Sequence, residues 1–589
     1  MFEAVRLVVW DLDETFWKGT LSEEGITEYD QSNHDAVITL AERGILSSIC
    51  SKNDIATVKA ILEEKGIWEY FVFPSIDWSP KGPRLSALVE AVQLRPESIL
   101  FIDDNHGNRA EAASCVPGLQ IADHTFARHM LTDERFVGKA DKPLSRLKQY
   151  KLLEQRAADQ AASGGNNIDF LRSSNIQITI DHEVVNNLDR AIELINRTNQ
   201  LNFTKLRLPD DKVEARQLLL GQLNENFDVR AGLVSVTDRF GDYGIVGFYL
   251  MKGHRIGSSL VHFCFSCRTL GMGVEQWIYH KLGKPRITVV GKVLSELATE
   301  TEPDWINVKN TREPVDERKL RPFEVRLRGG CELEVIGHFM RLEAPSVKLE
   351  VVTQKGLFPI MRHSSALLHQ ALKPHNADVE AALAKVGLPS EDFNSSFFSP
   401  CENDTAIVFS NTADVHPLYR HKSLDITICV NQPELGMITR SSLEELDNFF
   451  NERKVGKDER ERVLKIYREL RNNYELIYGS PALDQLALMF RDIISRIPKN
   501  GLMLWVAPNS VYVRDGRLIE NPTIERNNSS LREAAKKSPN VKIIEMTSLV
   551  QTNEEFTSRP DHFNRMVYYR LAQRIYSDFD QWRQADKAA

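Results

Sequence analysis

The chain has 589 residues, 42% of them hydrophobic and 26% charged, with a net charge of −8; this is globular material, long enough for about three or four domains. No basic block stands out, which argues against a nucleic-acid partner, and no apolar run approaches the roughly 20 residues that a membrane span needs. Seven scattered cysteines make no disulfide framework and the N-terminus lacks the charged and apolar regions of a signal peptide, so a reducing, cytoplasmic location is expected.

In chain order, residues 1–145 alternate short apolar runs with helical stretches. The runs are "RLVVWD" (6–11), "GILSSICS" (44–51), "YFVFPSI" (70–76) and "ILFIDD" (99–104), with helix-like segments such as "DIATVKAILEEKG" (54–66) between them. This alternation predicts a parallel sheet covered on both faces. Residues 146–169 read as a charged helical linker ending in "SGGNN". A second, α+β unit is expected over 170–325, where "AGLVSVTDRFGDYGIVGFYLM" (231–251) has the pattern of a hairpin. A third α/β unit is expected over 330–589. It opens on the strand pattern "CELEVIG" (331–337) and continues through "TAIVFS", "DITICV", "LMLWVAP" and "KIIEMTSL". The predicted class is therefore multidomain α/β.

The chemistry-bearing residues of the first unit fall at strand ends, where ligands gather in an open parallel sheet. Asp11 and Asp13 follow "LVVW" directly; one residue apart on extended chain, they would point to the same side. Asp103 and Asp104 repeat the pattern after "LFI". Adjacent carboxylates repel, and a hard divalent cation such as Mg2+ relieves that repulsion, so Asp11, Asp13, Asp103 and Asp104 are the expected metal ligands. Ser51 and Lys81 sit after two further strand patterns. The set fits phosphoryl transfer through an aspartyl-phosphate. Asp11 would attack phosphorus, Asp13 would protonate the leaving oxygen and then activate water, and Ser51 and Lys81 would hold the phosphoryl oxygens.

The ordered set D-x-D-x-T, Ser, Lys and Asp-Asp resembles the haloacid dehalogenase superfamily over residues 5–125. About 35 residues separate Thr15 from Ser51, too few for a large cap domain. The flanks "VVWDLDETFWKGTL", "SICSKND" and "ILFIDDNHGNRAEA" resemble the FkbH-like (class IIIC) branch. That resemblance implies removal of phosphate from a phosphorylated three-carbon acid of the 1,3-bisphosphoglycerate type. It also implies loading of the glyceryl group as a thioester onto an acyl carrier protein. Glu14 stands where many relatives carry Asn, which leaves the substrate open.

In the second unit, "INRTNQLNFTKLRL", "DRFGDYGIVGF" and "FSCRTLGMGVE" resemble the same branch, whose second domain is similar to an N-acetyltransferase fold. Arg268, Gly271 and Gly273 form R-x-x-G-x-G between a strand and a helix. Such a turn suits a phosphate, here that of a phosphopantetheine arm on a carrier protein or of coenzyme A. Cys267 precedes it, and a helix N-terminus beside Arg268 would lower its thiol pKa and make it an acyl acceptor. The alternative is a small residue that packs the turn. Cys264 reads as core. Asn199, Asn202, Thr204, Asp238, Arg239 and Asp242 either line the same groove or form turns.

The third unit resembles an SGNH-type esterase. "RPDHFNRMVYYRLAQRI" places His562, with Asp561 beside it, in the position of the base. The segment that aligns with the nucleophile block reads Gly337-His338-Phe339, without serine. Three readings stay open: direct acyl transfer with His562 as base, a degenerate binding module, or replacement of the nucleophile by Ser410 or another residue, with Asn411 as oxyanion donor. For the whole chain the alternative to a phosphatase and acyltransferase is a plain phosphatase whose later domains bind a partner or decorate a glycan.

Overall fold

Every residue of the strand Leu7–Trp10 is buried, which explains why its sequence is a continuous apolar run rather than an alternation. Val8 and Trp10 enter the core on one face of the sheet, with Ile49, Leu100 and Ile102. Leu7 and Val9 enter the core on the other, with Cys50, Ile99 and Phe101. The computed structural model describes residues 3–162, 167–253, 257–309 and 323–588, apart from 331, 343, 345, 352–359, 361–362, 390–394, 396, 431–441, 478, 515–516 and 557–561.

The first sheet has five parallel strands in the spatial order Ser75–Ile76, Leu46–Ser51, Leu7–Trp10, Ile99–Ile102, Gln120–Ala122. In sequence terms this is 3-2-1-4-5, the doubly wound arrangement, and the order reverses beside Leu7–Trp10. The apolar run at 70–76 yields only the two-residue strand Ser75–Ile76. Between Thr15 and Ser51 lie only a small hairpin, Trp17–Lys18 with Glu28–Tyr29, and the helix Gln31–Glu42, so no cap domain stands there. The helix Ser145–Ala162, expected as a linker, is packed: Leu147 and Tyr150 join the first core and Arg156 is buried over the Phe170 ring.

The second unit is a six-stranded, mainly antiparallel sheet built around the predicted hairpin, Val229–Asp238 paired with Gly241–Gly253. The third unit is a five-stranded parallel sheet in the order Val347–Val351, Phe323–Gly329, Asp404–Ser410, Gly501–Ala507, Val541–Glu545. One expectation is overturned here. The segment read as an opening strand at 331–337 lies within the helix Glu332–Arg341, apart from residue 331, which is outside the described residues. The strand comes earlier, at Phe323–Gly329. The opening of that helix, Glu332-Leu333-Glu334-Val335, alternates polar and apolar residues as a strand does, and the polar face of Glu334, His338 and Arg341 emerges only over the whole helix. It packs between the sheet of its own unit and the middle unit, where Tyr249 meets His338 at 3.3 Å and the His182 and Phe339 rings meet edge to face. Among the described residues, no helix is long and apolar enough to cross a membrane.

Candidate active site

Three strand ends and one helix start converge at the carboxyl edge of the first sheet. Asp11 leaves Leu7–Trp10, Ser51 closes Leu46–Ser51, and Asp103 leaves Ile99–Ile102. Lys81 is the first residue of the helix Lys81–Val92 and is 2% exposed. Its Nζ lies 2.5 Å from Asp11 Oδ1 and 2.7 Å from Asp103 Oδ2. The Ser51 hydroxyl donates to Asp11 Oδ1 at 3.0 Å. Asp11, Ser51, Lys81 and Asp103 thus form one buried network.

The network is held from behind. Asn105 caps the helix His106–Cys115 by accepting from Gly107 and Asn108 N–H groups, and its own N–H donates to Asp103 Oδ1 at 2.8 Å. One turn on, Asn108 Nδ2 reaches both Asp103 oxygens and Arg109 binds the carbonyls of Asp103 and Asp104. Thr15 Oγ1 accepts the Asp104 N–H at 3.0 Å. Arg84 donates to the Ser51 carbonyl at 2.9 Å. Asn108, Arg109 and Arg84 were not anticipated. The signal available was their spacing three to five residues past a strand-end or helix-start residue, which turns them back toward the sheet edge.

Charge is in excess here. Carboxylate oxygens of Asp11, Asp103 and Asp104 lie within 4.8 Å of one another. Burial pushes Asp11 up to about 6; Lys81 pulls it down and Asp103 adds to the rise. Burial opposes the charge on Lys81, but Asp11 and Asp103 outweigh it and hold its pKa up. Asp104 is raised by burial and then by Asp103. One ammonium against three carboxylates leaves negative charge uncompensated. An all-oxygen donor set of this kind fits a hard divalent cation such as Mg2+.

Asp13 departs from the expectation. Its carboxylate is not part of that cluster. Oδ1 accepts from Trp17 Nε1 at 2.9 Å and from Leu21 N at 3.1 Å, and Oδ2 accepts from Asn53 Nδ2 at 3.0 Å. The same Asn53 amide reaches Ser51 Oγ at 3.2 Å, so Asp13 borders the network without joining the carboxylates. The cause is local. Regular strand ends at Trp10, and the N–H groups of Thr15, Phe16 and Trp17 all turn back to the Leu12 carbonyl. A period of two does not carry across such a turn.

The predicted residues of the middle unit lie elsewhere. Cys267 and Arg268 line a cleft between the first and second units that contains none of Asp11, Asp13, Ser51, Lys81, Asp103 or Asp104. The expected fall in the Cys267 pKa is not found: burial pushes the thiol up, and the helix starts only at Val274. Gly271 and Gly273 do form the predicted turn, both at positive φ. Trp305 covers it, donating to the Met272 carbonyl at 2.9 Å, and a Cβ on Gly273 would lie 3.1 Å from its ring. Asn202, Asp238 and Asp242 accept nearby backbone N–H groups as turn formers, and Cys264 is core.

In the third unit, the ring of His562 packs on Phe227 of the middle unit at 3.9 Å between centroids; Asp561 lies outside the described residues. Ser410 is buried and donates to Glu332 Oε1 at 2.6 Å, and Asn411 donates to Asp414 Oδ2 at 2.6 Å. His338 sits in the interface with the middle unit.

No family model and no curated protein matches the chain. Solved structures do, over its N-terminal region. One is the N-terminal part of a Bacteroides fragilis protein containing a phosphatase domain, complexed with Mg; it is 21% identical, over 24% of this chain and 42% of that one, with a TM-score of 0.22. A second is a 3-deoxy-D-manno-octulosonate 8-phosphate phosphatase from Moraxella catarrhalis, solved with magnesium, phosphate and its sugar acid; it is 15% identical, over 27% of this chain and 92% of that one, with a TM-score of 0.16. A third is a haloacid dehalogenase-like family hydrolase from Xanthomonas campestris, 12% identical, over 27% of this chain and all of that one, with a TM-score of 0.17.

Proposed function

We propose that the chain is a Mg2+-dependent phosphatase of the haloacid dehalogenase kind, working through a phosphoryl group on Asp11. The observation that carries this reading is the placement of Asp11, at a strand end, against Ser51, Lys81 and Asp103. Asp11, Asp103 and Asp104 would hold the cation, which when bound offsets charge on the phosphoryl oxygens. Lys81 already pairs with Asp11 and supplies a fixed positive charge beside the reacting carboxylate. An Asp11 oxygen attacks phosphorus and the substrate's ester bond breaks, its oxygen taking a proton from Asp13 and leaving as an alcohol. Water then attacks the aspartyl-phosphate, releasing inorganic phosphate and restoring Asp11. Asp13, presented as an acceptor by three N–H donors, is placed to take a proton from that water.

The finer reading gives the substrate as a phosphorylated three-carbon acid whose glyceryl group passes to Cys267 and on to an acyl carrier protein. Its support is that Cys267 lines a cleft of 980 Å³. Because that cleft lies away from Asp11, the first site would remove only the ester phosphate and release a compound that keeps its acyl phosphate; the Cys267 thiolate would then attack the acyl carbon, the thioester forming as the acyl C–O bond breaks and phosphate leaves. Two variants of the full chain test the two levels, Asp11→Asn the phosphatase and Cys267→Ala the acyl transfer. Phosphate release from a phosphomonoester in Mg2+ should fall by at least about 10³-fold, and turnover near the unsubstituted rate would remove Asp11 from the mechanism. With a glyceryl-labelled substrate, label on the protein should disappear in Cys267→Ala; label that persists would remove the thiol from the route.

A further inference from the structure

The cleft between the first two units has a composition unlike the rest of the chain. Nine basic side chains and four acidic ones line it, in a protein whose net charge is −8. The basic residues come from both units: Arg6, Arg95 and Arg146 from the first and its following helix, Arg190, Arg197 and Arg268 from the second. They crowd one another. Burial and then Arg146, Arg197 and Arg95 lower the pKa of Arg6. Burial and then Arg190 bring that of Arg268 down to about 10, with Arg146 acting in the same sense. Clustered guanidiniums are costly to bury without anions between them.

A second observation points the same way. Arg268 Nη1, a donor, is buried in this cleft without a hydrogen-bond partner among the described residues. Buried polar atoms are ordinarily satisfied by protein, water or a ligand. Part of the cluster is already committed: Arg190 and Arg197 share Glu193, Arg95 pairs with Glu3, and Arg146 donates to the Gly44 carbonyl. The Arg268 guanidinium donates its Nε to Ser266 Oγ at 3.2 Å.

The position is distinct from the strand-end carboxylates. Arg6, Ile45 and Ser98 line the cleft and immediately precede the strands Leu7–Trp10, Leu46–Ser51 and Ile99–Ile102. Asp11, Ser51 and Asp103 stand at the opposite ends of those strands. From Arg6 to Asp11 the extended chain runs about 16 Å.

We propose that this cleft is a second ligand site, which binds a phosphate compound carrying two or more negative charges and bridges the first and second units. Guanidinium groups match phosphate oxygens in paired, charge-assisted hydrogen bonds, and a multiply charged anion answers several of them at once. A lone carboxylate answers one. The proposal does not depend on the phosphatase reading, since no side chain of the carboxylate network takes part.

The test is calorimetric titration of the full chain with inorganic pyrophosphate in EDTA, where the strand-end carboxylates repel an anion. Inorganic phosphate and acetate serve as the second and third probes. Binding is expected in the order pyrophosphate, phosphate, acetate, weakening as salt rises. Arg268→Ala should weaken pyrophosphate at least tenfold, as should Arg95→Glu. The Arg95 side chain is 57% exposed, so its replacement leaves the fold intact even if the change at Arg268 does not; circular dichroism and the unliganded Tm report on both. Absence of pyrophosphate binding, binding no stronger than that of acetate, or binding that Arg95→Glu leaves unchanged would overturn the proposal.

Discussion

Lys81 is the residue on which the first site balances. It is buried between Asp11 and Asp103, and each carboxylate lies within 2.7 Å of its ammonium. Removing one partner from a buried ion pair leaves an uncompensated charge and costs about 3–5 kcal/mol. Lys81→Met should therefore lower the stability of the metal-free protein by about 3 kcal/mol in urea unfolding, and saturating Mg2+ should restore part of the loss. A change within about 0.5 kcal/mol would mean that the pair contributes nothing net. At this scale the sequence was most informative where chemistry is local. Asp11, Ser51, Lys81 and Asp103 were legible because each follows an apolar run that could only be a buried strand or its connection. The direction of Asp13 was not, because it depends on a turn closed on the Leu12 carbonyl. Cys267 was misjudged on its thiol for a related reason: burial by neighbours distant in sequence, not the charge of Arg268, sets its pKa.

Among the elements, the helix Glu332–Arg341 shows where periodicity fails. Its first four residues alternate like a strand, and only over the full ten do Glu334, His338 and Arg341 fall on one helical face, too long a span for a seven-residue window. Its neighbours have a measurable consequence. His182, which faces His338, Phe339 and Tyr569, is brought down to about 4 by burial, with its donation to the Ala231 carbonyl opposing the fall and Arg565 adding to it. His338 is lowered by burial and then by Arg230, with His182 and Arg341 acting in the same sense. The folded pKa of His182 lies below the unfolded value of 6.5, so the unfolded chain binds more protons between the two. Stability from this neutral ring is present above pH 6.5 and lost as pH falls toward 4. His182→Phe should flatten the pH dependence of unfolding over that window, by up to about 3 kcal/mol. Parallel curves for the two proteins would contradict the burial of a neutral imidazole there.

For the whole molecule, the first sheet works as a divider. Its carboxyl edge carries the acidic network and its amino edge faces the arginine-lined cleft, so the same short strands separate two regions of opposite charge. That the first sheet is parallel, with Asp11, Ser51 and Asp103 at its strand ends, was legible from the strand–helix alternation; the strand order was not. The cleft was not, because its basic residues are drawn from positions 6 to 268 and no basic block marks them. The central claim concerns the acidic edge: Asp11 carries the phosphoryl group. The most direct measurement is acid quench of the full chain during turnover of a phosphomonoester with Mg2+, then borohydride reduction and peptide mass analysis. Reduction of an aspartyl-phosphate leaves homoserine, and the account predicts it at position 11 and at no other aspartate. An unmodified Asp11 under conditions where phosphate is being released, or homoserine at Asp13 or Asp103 instead, would contradict it.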